Sequence, residues 1–341
     1  MTVSNAGKVG NEWDLVHGGA LDSMRKAFPE VDEPWLDLST GINPFPYPWS
    51  LPMNSYAEHL PTRELDAACR EAMADTIGTD SNKLLLGPGS ELLIRLLPTI
   101  LAPRRVAVLA PSYGDHRGVW LAAGADVIED PDPLRFVRDV DAVVLCNPNN
   151  PDGRVFEPEL LREAQHTLAS RGGFLIIDEA YTDLMPSLSL AREGGTEGLI
   201  VLRSFGKFFG LAGLRLGAML GPEPVLQAMR NRLGTWPVSG VALGLGTRAY
   251  QDEAWQQATR QRLRTVRERL DGLLRDVGLA HRSGTDLFAY VRTDNADRCW
   301  ERLARKGIYV RRFSWSREHL RIGLPANEEA SRRLKQALLG E

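Results

Sequence analysis

The chain has 341 residues, 43% of them hydrophobic and 25% charged. That length supports a sizeable core and more than one domain, and that balance excludes a disordered or fibrous protein. The formal net charge is −3, so no general electrostatic attraction to nucleic acid is expected.

Met1 to Glu12 is polar and is expected to form a tail without the apolar core of a signal peptide. After His17-Gly18-Gly19, the segment from Leu36 to Pro44 reads as a short strand running into a Gly/Asn/Pro turn that contains Asn43. Phe45 to Pro52, rich in prolines and aromatics, is expected to be an extended arm packed on another surface, such as a second subunit. Thr62 to Met73 reads as a helix with Thr62 as its N-cap. Leu84 to Glu91 reads as strand, turn and helix start around Gly87-Pro88-Gly89-Ser90. The 3.6 period of Leu92, Leu93, Leu96, Leu97, Ile100 and Leu101 continues that helix. Backbone N–H groups at such a helix start can hold an anion. The turn does not fit the dinucleotide G-x-G-x-x-G pattern, because Leu92 occupies the third glycine position.

Strands and helices then alternate. Arg105–Ala110, Ala142–Cys146, Phe174–Ile177, Leu199–Leu202 and Leu216–Leu220 read as strands; Gly114–Ala123 and Pro158–Ser170 read as helices. Apolar strands separated by helices predict an α/β domain built on a mainly parallel sheet, with ligands beyond the carboxyl ends of the strands. Three polar clusters follow strand ends, at Asn147–Gly153, Asp178–Tyr181 and Ser204–Lys207, and this placement predicts that they converge. Helices are expected at Glu223–Leu233, Val241–Tyr250 and Trp255–Val277. A smaller α+β domain follows, with strands at Leu287–Arg292, Ile308–Val310 and His319–Gly323 and helices at Ala296–Arg305 and Glu328–Leu339. The expected division is an N-terminal segment 1–44, a large domain 45–245 and a small domain 246–341. Cys69, Cys146 and Cys299 form no CxxC pair, which predicts no disulfide framework or zinc site and suits a reducing cytoplasm. No apolar run approaches the ~20 residues a membrane span needs.

The stretch from Ser204 to Arg215 stands at the centre of this pattern. Lys207 leaves a strand end among aromatic and aliphatic neighbours, surroundings that favour a neutral amine able to attack an aldehyde. Ser204 and Arg215 flank it as phosphate partners. Ser-x-x-Lys followed by Gly-Leu-Ala-Gly-Leu-Arg-x-Gly resembles the cofactor-lysine segment of fold-type I pyridoxal-phosphate (PLP) enzymes, the aspartate-aminotransferase superfamily. The resemblance covers roughly residues 35 to 340. It implies the PLP-dependent transferase fold, PLP as cofactor, and a homodimer. It further implies that Lys207 captures the cofactor aldehyde, that Asp178 pairs with the pyridinium, and that Asn150 and Tyr181 reach the phenolic oxygen. Gly89, Ser90, Ser204 and Arg215 then form the phosphate cradle. His116 is expected to stack on the ring, with Tyr113 as the alternative. Arg321, flanked by Leu320 and Ile322 that should point the other way, resembles the arginine that binds the substrate α-carboxylate.

Two positions depart from the pattern. Gly206 stands where relatives often carry Ser, so one hydroxyl contact is expected to be missing. Leu60 stands where histidinol-phosphate aminotransferases tend to have a Tyr that reaches the neighbouring subunit; Tyr56 is a possible substitute.

His17-Gly18-Gly19 followed by Asp37 to Pro44, together with Pro111-Ser112-Tyr113-x-x-His116, is similar to the L-threonine-O-3-phosphate decarboxylases of the cobalamin pathway. That resemblance implies decarboxylation to (R)-1-amino-2-propanol O-2-phosphate, with histidinol-phosphate-type transamination as the alternative. The substrate would be a phosphorylated amino acid, and His17, Arg311 and Arg312 are the candidates for its phosphate. Asn43 and Arg321 complete the expected substrate-binding set.

Overall fold

The computed structural model describes residues 18–49, 56–279 and 282–340. The chain divides into two compact units, one of residues 45–261 and one joining 1–44 to 262–341.

The larger unit is built on a seven-stranded sheet. Its strands are β2 (Leu84–Gly87), β3 (Arg105–Leu109), β4 (Asp126–Asp130), β5 (Ala142–Cys146), β6 (Phe174–Asp178), β7 (Leu199–Ser204) and β8 (Gly217–Leu220). Their order across the sheet is β2-β8-β7-β6-β5-β3-β4. The neighbours from β7 through β4 pair in parallel, while β8 runs antiparallel to both β7 and β2. Residues of β5, β6 and β7 such as Val144, Ile176 and Ile200 are fully buried, as expected where both faces are covered. Each such aliphatic side chain contributes about 1.5–3 kcal/mol when removed from water. The register sets Cys146 beside Asp178 and Asp178 beside Leu202. The carboxyl ends of three neighbouring strands therefore finish level, and the clusters that follow them share one edge.

Helices in this unit are α2 (Arg63–Ile77), α3 (Ser90–Leu101), α4 (Gly114–Ala122), α5 (Pro158–Ala169), the single turn α6 (Phe205–Phe208), α7 (Glu223–Leu233) and α8 (Gly240–Gln251), after α1 (Leu21–Ala27) of the smaller unit. Thr62 caps α2 by accepting from the N–H of Leu65. Helix α3 buries Leu93, Ile94 and Leu97 against the sheet. Helix α9 (Glu253–Asp276) contains the point at which the two units divide.

The smaller unit holds a five-stranded sheet in the order β1-β11-β12-β10-β9. These strands are β1 (Leu36–Leu38), β9 (Arg282–Thr285), β10 (Phe288–Arg292), β11 (Ile308–Phe313) and β12 (Ser316–Gly323), with helices α10 (Ala296–Arg305) and α11 (Glu328–Leu339). β1 joins parallel to β11, so the N-terminal segment is a strand of this sheet. Trp300 of α10 is buried and donates its indole N–H to the carbonyl of Val310, 3.0 Å away.

Two elements differ from the sequence expectation. β4 has exposed acidic positions at the sheet edge, so it lacks the apolar run that marks the inner strands. The arm begins by packing on its own unit: Tyr47 sits edge-on to Trp255 at 5.1 Å, its hydroxyl 3.3 Å from Asp252 Oδ2.

Candidate active site

Lys207 lies in one helical turn directly after β7. Phe205, Phe208 and Phe209 fall on one face of that turn, and all three are buried. Phe205 and Phe209 stack at 4.5 Å, and Phe209 stacks on Trp255 at 5.7 Å. The aromatic anchor fixes the turn and leaves Lys207 on its other side, with Nζ 6.0 Å from the centroid of the Tyr181 ring.

That side opens into a cavity of about 190 Å³. Gly89, Ser90, Asn150, Asp178, Tyr181, Ser204, Lys207 and Arg215 all line it, with Glu91, Tyr113 and Cys146 among the others. Every cofactor-site residue expected from the sequence is thus at one cavity, with the exception of His116. Gly89 has φ +82°, and a Cβ added there would lie 2.7 Å from Arg215 Nη2. Arg215 itself is held in the left-handed region at φ 54°, a conformation that costs a non-glycine residue roughly 1–2 kcal/mol. The guanidinium therefore lies against the backbone at the start of α3, where N–H groups and the helix dipole favour an anion.

Of the two stacking candidates, the structure places His116 away from the cavity. His116 is 1% exposed and does not line the cavity. Its Nε2 is 3.1 Å from Asp178 Oδ2. Asp178 Oδ1 accepts the N–H of Ala180 at 3.0 Å. The imidazole is a partner of the carboxylate, and of the two stacking candidates Tyr113 is the one that lines the cavity. The two rings meet edge-on at 5.7 Å.

Gly206 also has a steric reason. A Cβ there would stand 2.7 Å from Ala212 Cα, a backbone atom that cannot swing away. A serine at this position does not fit the turn as it is built, so the hydroxyl is absent because the chain closes tightly on itself.

On the opposite face of the same strand ends lies a buried ion cluster. Arg203 Nη1 donates to Glu179 Oε2 at 2.9 Å, and Nη2 donates to Asp183 Oδ1. Glu179 also accepts from the Ser189 hydroxyl at 2.6 Å and the Leu190 N–H at 2.7 Å. Burial pushes the Glu179 carboxyl up, against the pull of Arg203. Burial opposes the Arg203 charge, but Asp183 and Glu179 outweigh it and raise its pKa. Because Glu179 follows Asp178 and Arg203 precedes Ser204, the cluster ties together the two strand ends that carry site residues.

The expected substrate-binding residues belong to the smaller unit. Asn43 and Arg321 are buried there, and Arg321 Nη2 donates to the carbonyl of Ser39 at 2.6 Å. Arg311 is the direct cross-strand partner of Arg321, so their side chains share a face. Arg312 does not join them. It points to the other face, 4.2 Å above the Trp300 ring and 3.3 Å from Asp297 Oδ1. Of the two arginine candidates, Arg311 and not Arg312 shares a sheet face with Arg321. His17 lies outside the described residues. Tyr56 packs on α8, where a Cβ on Gly244 would be 3.0 Å from its ring, and Leu60 is exposed.

An α/β sheet with a lysine, a carboxylate and an anion cradle at the carboxyl edge defines a class, and comparison with known proteins agrees. A family model, aminotransferase class I and II, matches residues 50–338. The chain belongs to this family. It is 41% identical to a threonine-phosphate decarboxylase of Pseudomonas aeruginosa, over 96% of this chain and 98% of that protein. It is 26% identical to histidinol-phosphate aminotransferase 3 of Mesorhizobium japonicum, over 93% of this chain and 91% of that one. Among solved structures, the histidinol-phosphate aminotransferase of Clostridium acetobutylicum superposes with a TM-score of 0.80 at 20% identity, covering 89% of this chain and 98% of that one.

The donor set fits PLP. Ser90, Ser204, Arg215 and the N–H groups at the start of α3 suit its phosphate, Lys207 its aldehyde and Asp178 its pyridine nitrogen. The close approach of Arg215 to Gly89 leaves the helix start open, with no side chain from residue 89 in the way. Among the described residues no cluster suits a metal ion, and no helix is long and apolar enough to cross a membrane.

Proposed function

We propose that this chain is a PLP-dependent decarboxylase that converts L-threonine O-3-phosphate to (R)-1-amino-2-propanol O-2-phosphate for cobalamin assembly. The observation that carries the reading is its near-full-length similarity to a threonine-phosphate decarboxylase, in a chain whose lysine, carboxylate and anion donors line one cavity.

PLP supplies an electron sink for the bond that breaks at Cα. The chain's own residues do the rest. Arg215, Ser90 and Ser204 bind the cofactor phosphate. Lys207 Nζ would hold the cofactor aldehyde and would be the group that delivers a proton to Cα. Asp178 would face the ring nitrogen and favour a proton there, and His116 and the Ala180 N–H hold its two oxygens in place. Asn150 and Tyr181 serve the phenolic oxygen. Tyr113 supplies the ring surface. Arg311 and Arg321, cross-strand neighbours on one sheet face, would provide two guanidinium groups for the carboxylate and phosphate of the substrate, and His17 and Asn43 complete the substrate set.

The protein works as a homodimer. The larger unit exposes Trp49, Leu60 and Trp236, apolar surface that a second copy would cover. Its buried free cysteines suit a reducing cytoplasm. The test is a comparison of kcat/KM for L-threonine O-3-phosphate alone with that for histidinol phosphate plus 2-oxoglutarate. The proposal requires the first to exceed the second; the reverse order would make the chain an aminotransferase on the same fold.

A further inference from the structure

A cluster of four side chains stands at the rim of the cavity, on its Tyr113 side. The Tyr113 hydroxyl donates to Glu91 Oε2 at 2.8 Å. Arg95, one turn along α3 from Glu91, places Nε 2.5 Å from Glu91 Oε1. Its Nη2 lies 3.1 Å from Asp115 Oδ1. Glu91 and Tyr113 both line the cavity.

An acid at this point needs a reason. Glu91 directly follows Ser90 at the helix start, where the site binds an anion, and a second negative charge there opposes a phosphate. The guanidinium of Arg95 offsets that charge from the solvent side, and the first turn of a helix tolerates an acid. What the carboxylate does toward the cavity is accept the phenol. Burial, then the charges of Glu91 and Asp115, push the Tyr113 hydroxyl up, so the phenol remains a donor across the working pH range. Tyr113 precedes α4, whereas Glu91 is on α3, so this bond, beside the Arg95–Asp115 contact, joins the ring-bearing loop to the phosphate-binding helix.

We propose that Glu91 is a positioning residue: its carboxylate, backed by Arg95, holds the Tyr113 phenol and sets the plane of the ring that packs against the cofactor. The proposal rests on the reading of the cavity as a PLP site. Its consequence is that stacking and phosphate binding are coupled, because the ring is tethered to the helix that holds the phosphate.

The experiment measures the PLP dissociation constant and the induced circular dichroism of the bound-cofactor band for the full chain and four variants, with the melting temperature of each. Glu91→Ala and Tyr113→Phe each weaken PLP by roughly three- to tenfold and shrink the dichroic band, since a single charge-assisted hydrogen bond is lost. The double variant is no weaker than either single one, because both remove the same bond. Glu91→Gln, whose amide oxygen still accepts from the phenol, restores affinity to within about twofold of the parent. The proposal is overturned if Glu91→Ala leaves affinity and dichroism unchanged, or if the two losses add in the double variant. A parent protein that binds no PLP overturns the cofactor reading as well; a parent that binds PLP beside an indifferent Glu91→Ala overturns this proposal alone.

Discussion

The Nε2 of His116 lies 3.1 Å from Oδ2 of Asp178, and both side chains are buried. An ionised carboxylate only accepts, so beside one the imidazole carries its proton on Nε2 and donates. His116 thus acts through Asp178, and replacing it should expose that dependence. His116→Phe retains an aromatic ring but strips a donor from a buried carboxylate, a loss of about 1–3 kcal/mol. PLP affinity should fall by roughly tenfold or more, while His116→Asn keeps part of it. A PLP titration of both variants checks this. Affinity kept in His116→Phe and lost in His116→Asn would return the stacking role to His116.

Arg311 and Arg312 are adjacent in sequence and opposite in direction. Arg311 pairs across the strands with Arg321, while Arg312 rests on Trp300 beside Asp297. Arg311→Ala should lower kcat/KM by about 10²-fold, the order expected for a lost charged hydrogen bond. Arg312→Ala should leave kcat/KM within about twofold and cost at most ~1 kcal/mol of stability, as befits a partly exposed ion pair. Steady-state kinetics and thermal melts on the two variants separate these outcomes.

Gly206→Ser introduces the hydroxyl that the family resemblance leads one to expect, yet it should harm the protein. The new Cβ meets Ala212 Cα at 2.7 Å, and relief requires movement of the turn that carries Lys207. Overpacking of this kind costs about 1–3 kcal/mol, which a melt resolves as a fall of several degrees. The same variant should bind PLP more weakly. A stable Gly206→Ser protein with tighter PLP binding would show that the turn yields.

Arg203→Met should be the most damaging of these substitutions to stability. It leaves the Glu179 and Asp183 carboxylates facing each other with the cation that joins them removed. Breaking a buried ion cluster by deleting one partner costs about 3–5 kcal/mol. Denaturant unfolding of the variant measures it. Replacing all three residues with apolar side chains of similar volume should recover much of the loss, because no buried charge is then uncompensated.

Much of the larger unit was legible because its inner strands are short unbroken apolar runs, each followed at once by a polar cluster. Asn150, Asp178, Ser204 and Lys207 could be placed together on that basis, and the cavity holds all four. β4 was not legible, since an edge strand with exposed acids carries no such run. For a different reason, the sequence did not separate Tyr113 from His116. Both follow the same strand within one turn, and the partner that fixes His116 is 62 residues away in sequence. Strand alternation likewise separates Arg311 from Arg312 only once the register with Arg321 is known. Glu91 left a fainter signal, an acid beside an anion-binding serine with an arginine four residues on, which reads as a surface pair until Tyr113 is seen to reach it.

The central claim is that the bond broken at Cα is the one to the carboxylate. It is tested by incubating PLP-loaded protein with carboxyl-labelled L-threonine O-3-phosphate, with no keto acid present, and following labelled CO2 and aminopropanol phosphate together. Sustained release of both in equal amounts, lost by at least ~10²–10⁴-fold in Lys207→Ala, is the predicted result. Retention of the label, with turnover appearing only when 2-oxoglutarate and an amino donor are supplied, would contradict it and assign the site to amino transfer.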